Sequence, residues 1–80
     1  MRNINMPRLG LNMEEGKIIK WYVKEGDIFY KGNILCEIES EKVTNEYMAE
    51  YDGKILKIIV KEGESAKVGT SIAIAEDIKI

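Results

Sequence analysis

Apolar and polar residues alternate over short stretches of this chain, and glycine-containing turns punctuate them. Ile34, Cys36 and Ile38 share one parity, and Val43, Asn45 and Tyr47 share one further on. Only Ser40, Glu41 and Lys42 separate the two runs. The pattern predicts a strand, a tight turn and a returning strand, with Lys42 at the protruding tip. A solvated lysine is protonated at neutral pH and is a poor nucleophile, so a lysine so placed suits modification by a ligase better than catalysis of its own.

Upstream, Asn3 to Met6 reads as a first strand closed by Pro7. Arg8 to Glu15 reads as a loop, with Leu11 and Met13 as apolar residues expected to fold back onto the core or to meet a partner. A strand follows from Gly16 to Lys24, in which Ile19, Trp21 and Val23 form one face. Ile18 has the opposite parity, which a bulge near Lys20 would accommodate. Glu25-Gly26-Asp27 and Lys31-Gly32-Asn33 are turn signals.

The second half repeats the first. With Gly16 aligned on Gly53, Gly-Lys-Ile-Ile-Lys-Trp-Tyr-Val-Lys-Glu-Gly faces Gly-Lys-Ile-Leu-Lys-Ile-Ile-Val-Lys-Glu-Gly, identical at eight of eleven positions. Two equivalent halves made of short strands imply an all-β fold of two small antiparallel sheets packed face to face with quasi-two-fold symmetry. Ile19, Trp21 and Val23 are expected to meet Leu56, Ile58 and Val60 in the shared core. In this register Glu41-Lys42-Val43 falls opposite Ile78-Lys79-Ile80, which predicts the lysine turn at one end of the sandwich and both termini near the other.

Eighty residues make one small domain, spanning residues 1–80. No apolar run approaches the roughly 20 residues needed to span a bilayer, so no membrane partner is expected. Twelve basic residues are dispersed among fourteen acidic ones, which argues against nucleic acid as a partner. The chain has no histidine, which removes the commonest general base and the commonest metal ligand, so neither a catalytic nor a metal site is expected. The one cysteine, Cys36, lies in an apolar parity and reads as a core thiol. The N-terminus lacks a secretory signal or transit peptide, so a cytoplasmic location is expected if Met1 is the native start, and a mitochondrial matrix location only after removal of a transit peptide.

Glu37-Ile38-Glu39-Ser40-Glu41-Lys42-Val43 resembles the lipoylation hairpin of the lipoyl domains of 2-oxoacid dehydrogenase complexes. The resemblance extends to Met6-Pro7-Arg8-Leu9-Gly10, Met13-Glu14-Glu15-Gly16 and Trp21-Tyr22-Val23-Lys24-Glu25-Gly26-Asp27. It continues through Asp52-Gly53-Lys54-Ile55, Val60-Lys61-Glu62-Gly63-Glu64 and Val68-Gly69-Thr70, and so covers roughly residues 4 to 76. It implies a flattened barrel of two four-stranded sheets with lipoate amide-linked to Lys42.

The implied function is a swinging arm that carries acyl groups and reducing equivalents. It would serve a thiamine-dependent 2-oxoacid decarboxylase, an acyltransferase domain and a dihydrolipoamide dehydrogenase, after modification by a lipoate–protein ligase. The resemblance also implies that Leu11, Asn12 and Met13 help partners recognise the domain. Glu39, Glu41 and Val43 beside the turn are further candidates for recognition, and the chain is expected to be a piece of a longer acyltransferase subunit.

The turn departs from the family's usual pattern, with Glu41 where Asp is common, Val43 where Ala is common, and the less usual Asn45 and Tyr47. Biotin carrier domains share this fold but resemble Ala-Met-Lys-Met at the modified lysine, and here Glu41 and Val43 occupy the methionine positions. The glycine-cleavage carrier protein is related but considerably longer. An unmodified barrel-sandwich adaptor module is a further alternative, though such modules lack the lysine turn.

Overall fold

The structure, a computed structural model, describes residues 1–78. It contains eight strands: β1 (Arg2–Asn5), β2 (Glu15–Trp21), β3 (Ile28–Phe29), β4 (Ile34–Ser40), β5 (Val43–Met48), β6 (Gly53–Ile58), β7 (Ser65–Lys67) and β8 (Ser71–Asp77). They form two four-stranded antiparallel sheets with the orders β1-β8-β6-β3 and β5-β4-β2-β7. Strands β2, β3 and β4 each take the place in their own sheet that β6, β7 and β8 take in the opposite one, as the repeat predicts, and β5 and β1 fill the matching edge places.

The symmetry reaches individual atoms. Ile18 of β2 donates to Glu64 O at 2.9 Å and accepts from Gly63 N at 2.7 Å. Its equivalent Ile55 in β6 donates to Asp27 O at 2.9 Å and accepts from Gly26 N at 2.7 Å. Three residues along, Trp21 N–H donates to a Glu62 carboxylate oxygen at 2.8 Å, and Ile58 N–H donates to Glu25 at 2.9 Å. Each half therefore grips the strand of the other through its own Lys-Glu-Gly turn. Those turns place Gly26 and Gly63 at positive φ, 94° and 88°, which an L side chain would oppose.

The core differs from the simple alternation. Pairing registers shift between Ile18 and Lys20 and between Ile55 and Lys57, so each strand carries a bulge at the equivalent place. The bulge near Lys20 is as expected, but it turns Ile18 inward and Ile19 out. Ile18 and Ile55 are fully buried, Ile19 is 39% exposed, and Leu56 is only half-buried. Trp21, Val23 and Ile58 pack half-buried against the core, and Val60 is buried. Trp21 thus sits at the rim, where its indole N–H donates to Val60 O at 2.8 Å. The centre is filled by Ile18, Ile38, Ile55, Ile72 and Phe29, with Cys36, Ala73 and Ala75 between them.

The positions of the ends agree with the symmetry for the described residues. Arg2 pairs with Ala75 in the β1–β8 ladder and makes a 2.9 Å salt bridge with Asp77. Its guanidinium also lies 3.8 Å from the centre of the Tyr51 ring. Tyr51 follows the end of β5 farthest from Lys42, so these groups gather at the opposite end of the hairpin. Lys79 and Ile80, the expected counterparts of Lys42 and Val43, lie outside the described residues.

Two glycines are needed for space. A Cβ on Gly53 would lie 2.6 Å from the Phe29 ring and 2.8 Å from the Glu76 carbonyl oxygen. One on Gly16 would lie 2.7 Å from Ile38 and 2.9 Å from the ends of Met6 and Met13. Methionine tips move more easily than a backbone carbonyl. Gly53→Ala is therefore expected to cost about 3 kcal/mol in urea denaturation, and Gly16→Ala about 2 kcal/mol because it must also displace the fully buried Ile38.

Burial pushes the Cys36 thiol up to about 12 from its ordinary value of 9.0. The unfolded chain then loses this proton at lower pH than the folded one, so the contribution is present below pH 9.0 and is lost as pH rises toward about 12. Urea midpoints are expected to fall across that window, with a shallower fall in Cys36→Ala.

Candidate functional site

Strands β4 and β5 form a hairpin that ends in Glu41 and Lys42. Ser40 pairs with Val43, so the turn has two residues and the expected interruption is one residue shorter than the alternation suggested. Glu41 has φ 51° and Lys42 has φ 67°. Positive φ at both central residues defines a type I′ turn, whose twist matches that of a two-stranded antiparallel ribbon. Asn-Gly is the usual occupant of such a turn, and ordinary L residues are strained there. The ladder behind the turn imposes this geometry: Ile38 pairs with Asn45 and Cys36 with Tyr47, and both Cys36 and Ile38 are fully buried.

The result is a lysine held at an apex. Lys42 is exposed, and among the described residues its ammonium has no hydrogen bond or ion pair. Glu39 and Glu41 are also exposed, as is Val43 at 55%. Glu39 lies opposite Lys17 on β2 and Thr44 on β5, which fixes its direction on the outer face of the sheet.

That outer face carries an uneven charge pattern. Glu37 and Glu46 sit directly across from one another, an arrangement that is unfavourable on its own. Tyr22 offsets it by donating its hydroxyl to Glu37, and that bond, followed by desolvation, raises the Tyr22 pKa. Lys20, the partner of Glu37 on β2, lies 4.9 Å above the Tyr22 ring. No cluster of three or more His, Cys, Asp or Glu suited to a metal ion occurs among the described residues.

The β1–β2 loop comes up beside the turn. A cleft of about 230 Å³ separates them, with Leu9 and Met13 on the loop side and Ser40, Glu41, Val43 and Asn45 on the hairpin side. Leu11 and Met13, the two loop residues singled out in the sequence, part company. Leu11 is 96% exposed and Asn12 is exposed, whereas Met13 is 2% exposed and belongs to the core. A partner can therefore touch Leu11 and Asn12 directly, but it meets Met13 only as the floor of the cleft. Of the two expectations for Met13, folding back onto the core is the one realised: the space above Gly16, which has no side chain, receives it. Arg8 went unnoticed in the sequence, and its guanidinium donates to Met13 O at 2.5 Å. Nothing in a lone loop arginine signals such a bond.

The two positive-φ residues make a stability prediction. Lys42→Gly is expected to relieve left-handed strain and stabilise the domain by about 1 kcal/mol in urea denaturation, even though it removes the candidate attachment point.

Three comparisons bear on this geometry. The biotin/lipoyl family model, described as "Biotin-requiring enzyme", matches residues 2–74. The chain is 47% identical over 73 residues to the dihydrolipoyllysine-residue acetyltransferase component of the pyruvate dehydrogenase complex of Rhizobium meliloti, covering 90% of this chain and 16% of that protein. It is 43% identical over 77 residues to the mitochondrial pyruvate dehydrogenase complex protein X component of Chaetomium thermophilum, covering 95% of this chain and 17% of that protein. The chain thus spans about one sixth of the length of these relatives. Among solved structures, the lipoyl domain of the 2-oxoglutarate dehydrogenase complex from Azotobacter vinelandii superposes with a TM-score of 0.78 at 27% identity, covering 94% of this chain and 95% of that one.

Proposed function

The chain belongs to the biotin- and lipoyl-carrier family, and from that membership we propose that it carries lipoate in amide linkage to Lys42 Nζ. One observation supports this above the others: a lysine without an internal partner stands at the apex of a turn that the buried ladder behind it holds rigid. The site fits the group. An amide at Nζ displaces no existing bond among the described residues, and no wall of the fold stands over the apex. Lipoate is favoured over biotin because Glu41 and Val43, not methionines, flank the lysine, and because the relatives are named for dihydrolipoyllysine.

The bound group would supply acyl carriage and two-electron redox chemistry through its dithiolane. The protein's own part is to hold, present and tether. The I′ turn directs Lys42 away from both sheets. The ends of the described chain gather at the far end of the hairpin, so an attached linker would leave the arm clear. Tethering raises the group's effective concentration at each site that it visits, without a catalytic side chain from the domain.

Those sites would be a thiamine-dependent 2-oxoacid decarboxylase, an acyltransferase catalytic domain and a dihydrolipoamide dehydrogenase, with a lipoate–protein ligase acting first. Pyruvate is the favoured 2-oxoacid, since the 47% and 43% identical relatives are pyruvate dehydrogenase components. The parent would be an acyltransferase subunit, of which these residues form one domain. Its compartment would be that of the complex, the cytoplasm of a bacterium or the matrix of a mitochondrion. Leu11, Asn12, Glu39, Glu41 and Val43 would form the recognition surface around the lysine, with Met13 supporting it from below.

Intact-mass measurement after incubation with lipoate, ATP and a lipoate–protein ligase is expected to show one adduct, absent in Lys42→Arg. An adduct that persists in Lys42→Arg would move the site elsewhere. Efficient labelling by a biotin ligase, with none by the lipoate ligase, would overturn the choice of cofactor.

A further inference from the structure

The β1–β2 loop is the only place beside the lysine turn where a large apolar side chain stands almost fully in water among the described residues, since Leu11 is 96% exposed. Such a side chain is a useful contact only if its position is fixed before a partner arrives, because ordering a mobile loop at the moment of binding weakens association. The loop is fixed, and three bonds do it. Met13 N–H donates to Gly10 O at 3.2 Å and closes the turn whose tip is Leu11-Asn12. Leu9 N–H donates to the Met13 sulfur at 3.1 Å. The Arg8 guanidinium donates to Met13 O at 2.5 Å.

All three bonds converge on Met13, which is itself anchored. Its methyl group fills the space above Gly16, where a Cβ would come within 2.9 Å of it and within 2.7 Å of Ile38 on the strand that leads to Lys42. Arg8 itself is exposed and forms no ion pair among the described residues. Neither burial nor a salt bridge accounts for it, and its one strong contact is the carbonyl at the base of the turn.

We propose that Arg8 is a positioning residue for partner docking: by clamping the Met13 carbonyl it holds the Gly10–Met13 turn, and so Leu11, in place beside the lysine hairpin. The inference rests on the carrier reading above. The partner that Leu11 meets is the decarboxylase that must engage the loaded arm, and Leu11 would fill an apolar recess there while Glu39 and Glu41 lie at the rim. Arg8 acts on this contact only through the loop.

The test uses the lipoylated domain, with modification of each variant verified by mass, and has two readouts. One is amide hydrogen exchange at Met13. The other is turnover of the domain as substrate by a thiamine-dependent pyruvate decarboxylase component supplied with pyruvate. Arg8→Ala is expected to speed Met13 exchange about tenfold or more, leaving the amides of Ile18 and Ile55 protected, and to raise KM for the domain about tenfold with little change in kcat.

Leu11→Ala should raise KM by a similar factor without altering exchange at Met13. The double variant should be no worse than Leu11→Ala alone. Arg8→Lys, which keeps one donor, should recover most of both losses. Unchanged Met13 exchange in Arg8→Ala overturns the clamp, whether or not the decarboxylase accepts the domain. KM factors that multiply in the double variant overturn action through Leu11 and place Arg8 in contact with the partner itself. A wild-type domain that the decarboxylase ignores counts against the carrier reading, and the exchange measurement then decides the clamp by itself.

Discussion

Everything in this fold depends on a reciprocal grip. Ile18 and Ile55 stand immediately before the bulges of β2 and β6, and each has its backbone N–H and C=O satisfied at the Lys-Glu-Gly turn of the opposite half. Buried backbone groups need partners, and these two residues find theirs on the side away from β4 and β8, in the other half of the chain. The carboxylates of Glu25 and Glu62 repeat the exchange three residues further along. Neither half can complete its own hydrogen bonding, so an eighty-residue chain with a small core behaves as one cooperative unit.

This grip also explains how much could be read from the sequence. The repeat was plain at eight of eleven positions, and it gave the number of sheets, the pairing of halves and the placement of the lysine turn. The parity of the core was harder to see. Ile18 and Ile19 are adjacent and chemically identical, so alternation alone cannot say which points inward. The bulge decides, and it is set by the register of β2 against Glu37 and Ile38 of β4, which alternation within β2 does not reveal. The same holds for Leu11 and Met13. Both are apolar loop residues, but the missing side chain at Gly16 gives only Met13 a place to go. The contact of Arg8 with a carbonyl left no trace at all in the order of residues.

The site concentrates its strain where the rest of the molecule can hold it. Two L residues at positive φ follow directly after a ladder anchored by fully buried Cys36 and Ile38. A looser hairpin would relax into a wider loop and let the lysine wander. Rigid presentation up to Cα, followed by a long flexible side chain, gives the ammonium a defined origin and a wide reach. The cleft between the turn and the β1–β2 loop adds a second surface that moves with the first, because Ile38 and Met13 both close on the space above Gly16.

The Arg2–Asp77 pair carries a mechanical consequence. These residues meet at the same end of the antiparallel β1–β8 ladder, so tension applied between them would be borne by one pair of hydrogen bonds at a time. The strands would peel like a zip instead of shearing as a block. Traction on flanking chain would open β1 first, while β4 and β5, which do not pair with it, would stay clear of the load path. Under such a load the domain would yield at its base and keep the lysine hairpin in shape.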